Sequence, residues 1–150
     1  MAHLPNSPIV LSLTVNDVAA ALDFYVKAFG AKETSRMPLP DGTVVQGDFQ
    51  IGTSMFYVSL GSEDWKAASL PADGLSSCLF IVEVEDPQES FDLAVSEGAT
   101  AIEEPKDQFW GMRTAILADP FGYRWNLRKI LEVLTPEQMM ERAQEAMKES

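Results

Sequence analysis

The side chains best suited to acid–base chemistry in this sequence are Glu83 and Arg124. Glu83 ends an alternating segment that begins at Cys78, and strand alternation places it on the more polar face of that strand. There it could act as a general base, with Arg124 on another predicted strand stabilising an oxyanion. The simpler alternative is that Glu83 and Arg124 form an ion pair.

Histidine and cysteine are too scarce for several common kinds of site. The sequence contains one histidine, His3, and one cysteine, Cys78. A single histidine excludes metal centres that need two, and it leaves His3 as the only possible base for a Ser-His-Asp triad. A single cysteine excludes an internal disulfide, and the alternation predicts that Cys78 is a small buried hydrophobe.

The overall composition is that of one folded domain with a strongly acidic surface. The 150 residues are 46% hydrophobic and 23% charged, and the formal net charge is −12. That charge repels phosphate backbones, so we expect no nucleic-acid partner and no binding to anionic membranes. The sequence shows neither a membrane span nor a signal peptide, and with its single cysteine this predicts a cytoplasmic protein.

The order of predicted elements repeats once along the chain. A strand, a helix and three strands occur twice, and Val15-Asn16-Asp17 recurs as Val84-Glu85-Asp86. We expect an α+β fold in which two βαβββ repeats form a curved eight-stranded mixed sheet, shaped as a cup with the helices on its outer face. The predicted single domain comprises repeat one at about 8–60, a linker at 61–75, repeat two at about 76–130, and a C-terminal helix at 135–148.

Local signals support the ends of these elements. Asp119-Pro120-Phe121-Gly122 is typical of a type I turn between the last two strands. Thr135-Pro136-Glu137-Gln138 is typical of a capping box, and an amphipathic helix follows it. That helix could pack on its own domain or on a partner subunit.

Several of these segments together resemble the vicinal oxygen chelate superfamily, which includes glyoxalase I, extradiol dioxygenases, and fosfomycin and bleomycin resistance proteins. The resemblance covers about residues 8–130 and is carried by the repeat, by Asp23-Phe24-Tyr25 and by the segment from Asp119 to Trp125. Phe109-Trp110-Gly111-Met112-Arg113 and the Thr-Pro-Glu-Gln tail are most similar to its PhnB-like subgroup. The resemblance implies a homodimer with two clefts at the subunit boundary.

The resemblance also identifies four strand positions that hold the metal in metal-using members, usually with His, Gln or Glu. Mapped onto this sequence, they are Val10, Phe56, Leu79 and Asn126. Two aliphatic side chains, a phenyl ring and one neutral amide do not make a metal centre. We therefore expect no metal and no other cofactor.

The predicted cup has an apolar floor with a few polar groups, which is typical of a small-molecule pocket. Trp110, at a loop mouth, could stack on a planar ligand or pack under its own loop. The two arginines could hold an anionic group, or each could pair with a nearby acid. The predicted ligand-binding residues are Arg124, Asn126, Arg113, Trp110, Phe56 and Ser12.

The sequence favours a protein that binds a small, partly aromatic molecule in the cup without a metal, and its acidity suits a cationic ligand. The alternative is a lyase, isomerase or dioxygenase of the same superfamily. Such an enzyme would be metal-dependent with atypical ligands, or metal-free with Glu83 as base. A third possibility is a protein-interaction module that uses the C-terminal helix. Whether the protein is an enzyme stays open at this point.

Overall fold

The computed structural model of the chain describes residues 8–150, so His3 lies outside the described residues. The first repeat consists of β1 (Leu11–Thr14), α1 (Val18–Phe29), β2 (Lys32–Pro38), β3 (Val44–Ile51) and β4 (Ser54–Ser59). The second consists of β5 (Leu79–Glu83), α2 (Pro87–Ser96), β6 (Thr100–Asp107), β7 (Met112–Ala118) and β8 (Arg124–Ile130). Helix α3 (Pro136–Lys148) follows.

Capping residues define the ends of the two repeat helices. Asp17 caps α1 by accepting a hydrogen bond from the Ala20 N–H at 3.0 Å, and Asp86 does the same at the start of α2. Gly30 ends α1 with a φ of +64°, a conformation that costs glycine little because it has no Cβ. These signals place each helix directly after the first strand of its repeat.

The strands form two four-stranded sheets with the same connectivity. Their orders are β1-β4-β3-β2 and β5-β8-β7-β6, and in each sheet the first strand pairs in parallel while the other pairs are antiparallel. The two predicted βαβββ units are thus confirmed, and the eight strands divide equally between two sheets. β1 and β5 are edge strands of their own sheets and share no ladder.

One hydrophobic core joins the two repeats. Leu13 and Val58 enter it from the first sheet, and Trp125 and Leu127 enter it from the second. The rings of Phe56 and Trp125 bridge the repeats with their centroids 5.6 Å apart. None of the surface of Trp125 is exposed. Because the core is shared, the two repeats pack as one unit.

A buried carboxylate links α1 to the turn between β7 and β8. Asp119 accepts hydrogen bonds from the Tyr25 hydroxyl at 2.6 Å and from Trp125 Nε1 at 2.9 Å. Its other oxygen accepts the backbone N–H groups of Phe121 and Tyr123 at 2.9 and 3.0 Å. Burial raises the pKa of Asp119, and these hydrogen bonds offset part of that effect. The turn therefore serves as a long-range connection as well as a local one.

Helix α3 makes little contact with the rest of the described chain. The predicted capping box at Thr135 is present, with reciprocal hydrogen bonds to Gln138. Arg142 reaches back to the Phe109 carbonyl at 3.3 Å and to the Glu132 carboxylate. No residue of α3 is buried. Within residues 8–150, no helix has the length and hydrophobicity needed to span a membrane.

Candidate functional site

The strand register decides which side chains face away from the helices. We call that side of each sheet the cup face. Directly paired residues share a face, so Ser12, Tyr57 and Asp48 lie together on the cup face of the first sheet. By the same rule, Ile81 and Asn126 lie together on the cup face of the second. The predicted ligand residues Ser12 and Asn126 therefore have the predicted orientation but belong to different sheets.

Phe56 does not lie on a cup face, so its predicted orientation was wrong. It pairs with Leu11 and Phe49 on the helix side, it is 4% exposed, and its ring stacks on Phe49 at 4.8 Å. Leu11 pairs with Phe56, four residues after Gly52, whereas its repeat equivalent Phe80 pairs with Trp125, three residues after Gly122. Counting the same distance from both glycines therefore slips by one residue, which inverts the face. Tyr57 therefore occupies the position equivalent to Asn126.

Tyr57 was missed by the sequence analysis, although a signal for it exists. The spacing from Tyr57 to Asn126 equals the spacing from Val15 to Val84, which marks the strand–helix junctions of the two repeats. Counting from that landmark, instead of from the turn glycine, assigns Tyr57 to the cup face. The side chain of Tyr57 is partly exposed there.

Arg113 also faces away from the cup, contrary to the prediction. It pairs across the strands with Lys129 and Asp107, on the side shared with Leu117. Its Nε donates to Asp107 Oδ1 at 2.6 Å, and its Nη2 donates to Oδ2 at 3.2 Å. This hydrogen bonding lowers the pKa of Asp107. The ion-pair alternative is therefore the arrangement present for Arg113.

Arg124 lies on the cup face, but its guanidinium is bonded to backbone rather than to an acid. Its Nε donates to the Ser76 carbonyl and its Nη2 to the Ser77 carbonyl, both at 2.9 Å. Arg124 thereby holds the segment that leads into β5. Glu83 instead pairs with Arg128, and its side chain is half-exposed. The alternative Glu83–Arg124 pair is therefore absent.

Two acceptor atoms on the cup faces are buried without a partner among the described residues. They are Asn126 Oδ1 on β8 and Asp48 Oδ1 on β3. A buried acceptor without a hydrogen bond costs about 1–3 kcal/mol relative to its hydrated state. Both faces could therefore accept hydrogen bonds from the N–H or O–H groups of a ligand, with the hydroxyl-bearing side chains of Ser12 and Tyr57 nearby.

Trp110 and Cys78 lie at the margins of this region. Trp110 is half-buried in the β6–β7 turn, where its ring meets Phe109 edge-on at 4.8 Å. Strand pairing places this turn beside Ile130, at the opposite end of β8 from Arg124, so the structure does not bring Trp110 and Arg124 together. Cys78 is exposed, contrary to the prediction, because it precedes β5 and strand alternation does not apply to it.

The cup-face positions that correspond to the superfamily's metal ligands do not fit a metal ion. With the register corrected they hold Val10, Tyr57, Leu79 and Asn126. Two aliphatic side chains, a phenol and an amide lack the imidazole, thiolate and carboxylate donors that divalent ions use in proteins. Within residues 8–150, no three His, Cys, Asp or Glu side chains cluster in a way that could hold a metal.

Comparison with known proteins agrees with this architecture. A sequence profile of the Glyoxalase/Bleomycin resistance protein/Dioxygenase superfamily matches residues 8–127. An uncharacterized protein of Mycobacterium bovis is 37% identical over 120 residues, which are 77% of this chain and 78% of the relative. One from Mycobacterium tuberculosis is also 37% identical, over 77% of this chain and 69% of its own length.

Solved structures show the same fold. TioX from Micromonospora sp. ML1 has a TM-score of 0.63 at 26% identity, covering 86% of this chain and all of that one. A glyoxalase/bleomycin resistance protein/dioxygenase family enzyme from Burkholderia phytofirmans has a TM-score of 0.67 at 19% identity, covering 81% and 97%. The chain belongs to the glyoxalase/bleomycin resistance protein/dioxygenase superfamily.

Proposed function

We propose that this protein binds a small organic molecule on its cup faces without a metal ion. The observation that carries the proposal is the pair of buried, unpartnered acceptors, Asn126 Oδ1 and Asp48 Oδ1, on faces whose metal-ligand positions hold no suitable donors. A ligand with N–H or O–H groups satisfies these atoms, while apolar neighbours such as Ile81 contact its hydrocarbon parts. The acidic chain favours a cationic ligand.

We further propose that the protein acts as a homodimer. Ser12 and Asn126 lie on different sheets of one chain, whose edge strands β1 and β5 share no ladder. The apolar cup-face residues Leu79 and Ile81 are 37% and 51% exposed. A second copy that sets its own sheet against the cup faces covers both residues and completes a cleft at the subunit boundary. The PhnB-like subgroup and the cytoplasmic location stay predictions.

The alternative is a metal-free isomerase or lyase with Glu83 as base. The observation that favours it is the position of Glu83 on the cup face, half-exposed, one strand away from Asn126. The ion pair with Arg128 disfavours it, because abstraction of a substrate proton requires the carboxylate to leave its partner. Turnover that disappears in Glu83→Gln while ligand affinity persists would favour this alternative over simple binding.

The test is a thermal-shift screen of small amines, amides and polyols in the presence of a chelator, followed by calorimetry. Asn126→Ala is expected to lower the affinity for a compound found in the screen by about five- to tenfold, because one hydrogen bond contributes about 1 kcal/mol. Asn16→Ala removes an exposed amide away from the cup faces and serves as the matched control. Hits that need added metal, or whose affinity is equal in both variants, would contradict the proposal.

A further inference from the structure

A cavity lies between the two repeats, and its aromatic walls lie on the helix side of the sheets. This cleft of about 440 Å³ is bounded by β1 and the β3–β4 turn on one side and by β5 on the other. Its apolar walls include Leu11, Phe56, Phe80 and Val82. Register places these residues on the helix side of their strands. The volume lies within the range of about 300–1,000 Å³ that is typical of small-molecule pockets.

The walls of the cleft are suited to a flat apolar group. The rings of Phe56 and Phe80 meet edge-to-face, with centroids 6.0 Å apart and an interplanar angle of 82°. Trp125 lies directly behind them, 5.6 Å from Phe56 and 5.0 Å from Phe80. An aromatic ring that enters from the open side completes this cluster through stacked or edge-on contacts. The indole of Trp125 is close enough to report on such binding by its fluorescence.

The rim of the cleft carries one carboxylate with a free oxygen. Glu83 contacts Arg128 only through Oε1, so Oε2 accepts no hydrogen bond from the described residues. The Glu83 side chain is half-exposed, and Thr53 and Ser54 supply hydroxyl groups to the lining. The net charge of −12 raises the local concentration of cations. The cleft therefore combines an apolar interior with an acceptor for a positively charged donor.

We propose that this cleft is a binding site for an arylalkyl ammonium compound. The aromatic ring lies against Phe56 and Phe80, and the ammonium group donates a hydrogen bond to Glu83 Oε2. This site differs from the cup-face site proposed above, because its aromatic walls Phe56 and Phe80 lie on the helix side of their strands and it does not use Asn126 or Asp48. Ile81 and Glu83 line its rim from the cup face. Chemical shifts at Phe80 and Val82 therefore report on the cleft, and those at Tyr57 and Asn126 report on the cup faces.

The probe is 3-phenylpropylammonium, compared with 3-phenylpropionate, which carries the same ring and the opposite charge. Two-dimensional NMR of isotope-labelled protein is expected to show shifts at Leu11, Phe80 and Val82, together with a change in Trp125 fluorescence. The amine is expected to bind at least about fivefold more tightly than the carboxylate. This ratio of affinities corresponds to the free energy that a partly exposed ion pair contributes. Equal affinities, or no binding of the amine, would overturn the proposal.

Charge variants test the role of Glu83 directly. Glu83→Gln is expected to weaken amine binding by about fivefold, whereas Arg128→Gln is expected to strengthen it by freeing Oε1. Glu85→Gln makes the same change in net charge on an exposed residue outside the lining, and it should leave the affinity unchanged. Equal losses of amine affinity in the Glu83 and Glu85 variants would show that only the net charge of the protein matters. That result would overturn the assignment of Glu83 as the acceptor of the ammonium group.

The same spectra separate this proposal from the cup-face site. Shifts confined to Ser12, Tyr57 and Asn126 would move the amine to the cup face, which overturns the cleft and supports the function proposed above. Thr53→Trp places an indole at the exposed rim and is expected to abolish binding without disturbing the core. Undiminished binding in a folded Thr53→Trp variant would also overturn the cleft assignment.

Discussion

Replacement of Asp119 by alanine should destabilise the whole protein, because this one carboxylate satisfies four donors. Two of them, the Tyr25 hydroxyl and Trp125 Nε1, belong to side chains with no exposed surface. The other two are the backbone N–H groups of Phe121 and Tyr123, which are partly exposed. Alanine leaves both buried donors without a partner, while water can reach the turn.

The expected loss is about 4 kcal/mol in the free energy of unfolding. Each buried donor without a partner costs about 1–3 kcal/mol, and removal of one partner from a buried charged network typically costs about 3–5 kcal/mol. At this chain length, the loss corresponds to a fall of about 10 °C in Tm. Tyr25→Phe removes only one hydrogen bond to the carboxylate, so we expect it to cost about 2 kcal/mol.

The assay is urea unfolding followed by circular dichroism and by Trp fluorescence. Tyr57→Phe is the matched control, because Tyr57 is partly exposed on the cup face. This substitution should lower the free energy of unfolding by less than about 0.5 kcal/mol. The double variant of Tyr25 and Asp119 should lose less than the sum of the single variants, because the two share a hydrogen bond. A loss below about 1 kcal/mol for Asp119→Ala, or strict additivity, would refute the role assigned to this carboxylate.

The remaining predictions concern pH, a strand-positioning contact, the metal positions and the C-terminal helix. Because burial raises the pKa of Asp119 above 3.8, the folded protein binds this proton more tightly than the unfolded chain. The stability of the wild type relative to Asp119→Asn should therefore be greatest below pH 3.8 and should fall as the pH rises through the folded-state pKa, as urea titrations will measure. Arg124→Ala should lower stability by about 1–2 kcal/mol, since it removes two hydrogen bonds to the carbonyls before β5. Val10→His combined with Leu79→His should not bind stoichiometric zinc in calorimetry, because the other two positions still lack metal donors. Truncation after Leu134 should leave Tm within about 2 °C, because no residue of α3 is buried.

Each of these four predictions would be contradicted by a specific result. If the stability of the wild type relative to Asp119→Asn rose with pH, folding would lower the pKa of Asp119 instead of raising it. Unchanged unfolding of Arg124→Ala would show that the guanidinium is free to bind ligands. One tightly bound zinc ion in the histidine double variant would show that the four positions are misassigned. A large fall in Tm on truncation after Leu134 would show that α3 packs against the body of the protein or against a partner subunit.

Features encoded within a few residues could be predicted from the sequence. The caps at Asp17, Asp86 and Thr135 depend on donors only two or three residues away, and all three are present. The repeat could also be predicted, because its landmarks recur at nearly constant spacing. Alternation gave the correct orientation of Ser12 and Asn126, which lie inside regular strands.

Features that depend on register or on distant partners could not be predicted. Phe56 was assigned to the wrong face because the distance from the turn glycine to the equivalent strand position differs by one residue between the repeats, and periodicity cannot detect that slip. The partner of Arg113 comes from the neighbouring strand, and Arg124 bonds to backbone 47 and 48 residues earlier. Asp119 was interpreted only as a turn residue, although its partner Tyr25 lies 94 residues away.

The segments that carry the resemblance to the superfamily therefore mark its fold more than its chemistry. Tyr25, Asp119 and Trp125 all belong to those segments, and all three are buried in one hydrogen-bonded cluster that joins the repeats. The cup faces differ, since Tyr57 and Asn126 occupy two of the positions at which the resemblance implies metal ligands in metal-using members. Membership of the superfamily thus specifies the scaffold, and the function has to be argued from the side chains of the cup faces.

The measurement that tests the central claim most directly is the metal content of untagged protein, purified without chelator and then reloaded with nickel, manganese, iron and zinc. Our account predicts less than about 0.1 metal ion per chain and no rise in Tm with any of the four ions, since bound ligands stabilise a fold by mass action. One tightly bound ion per chain, with a matching rise in Tm, would contradict the proposal that the cup faces bind their ligand without a metal.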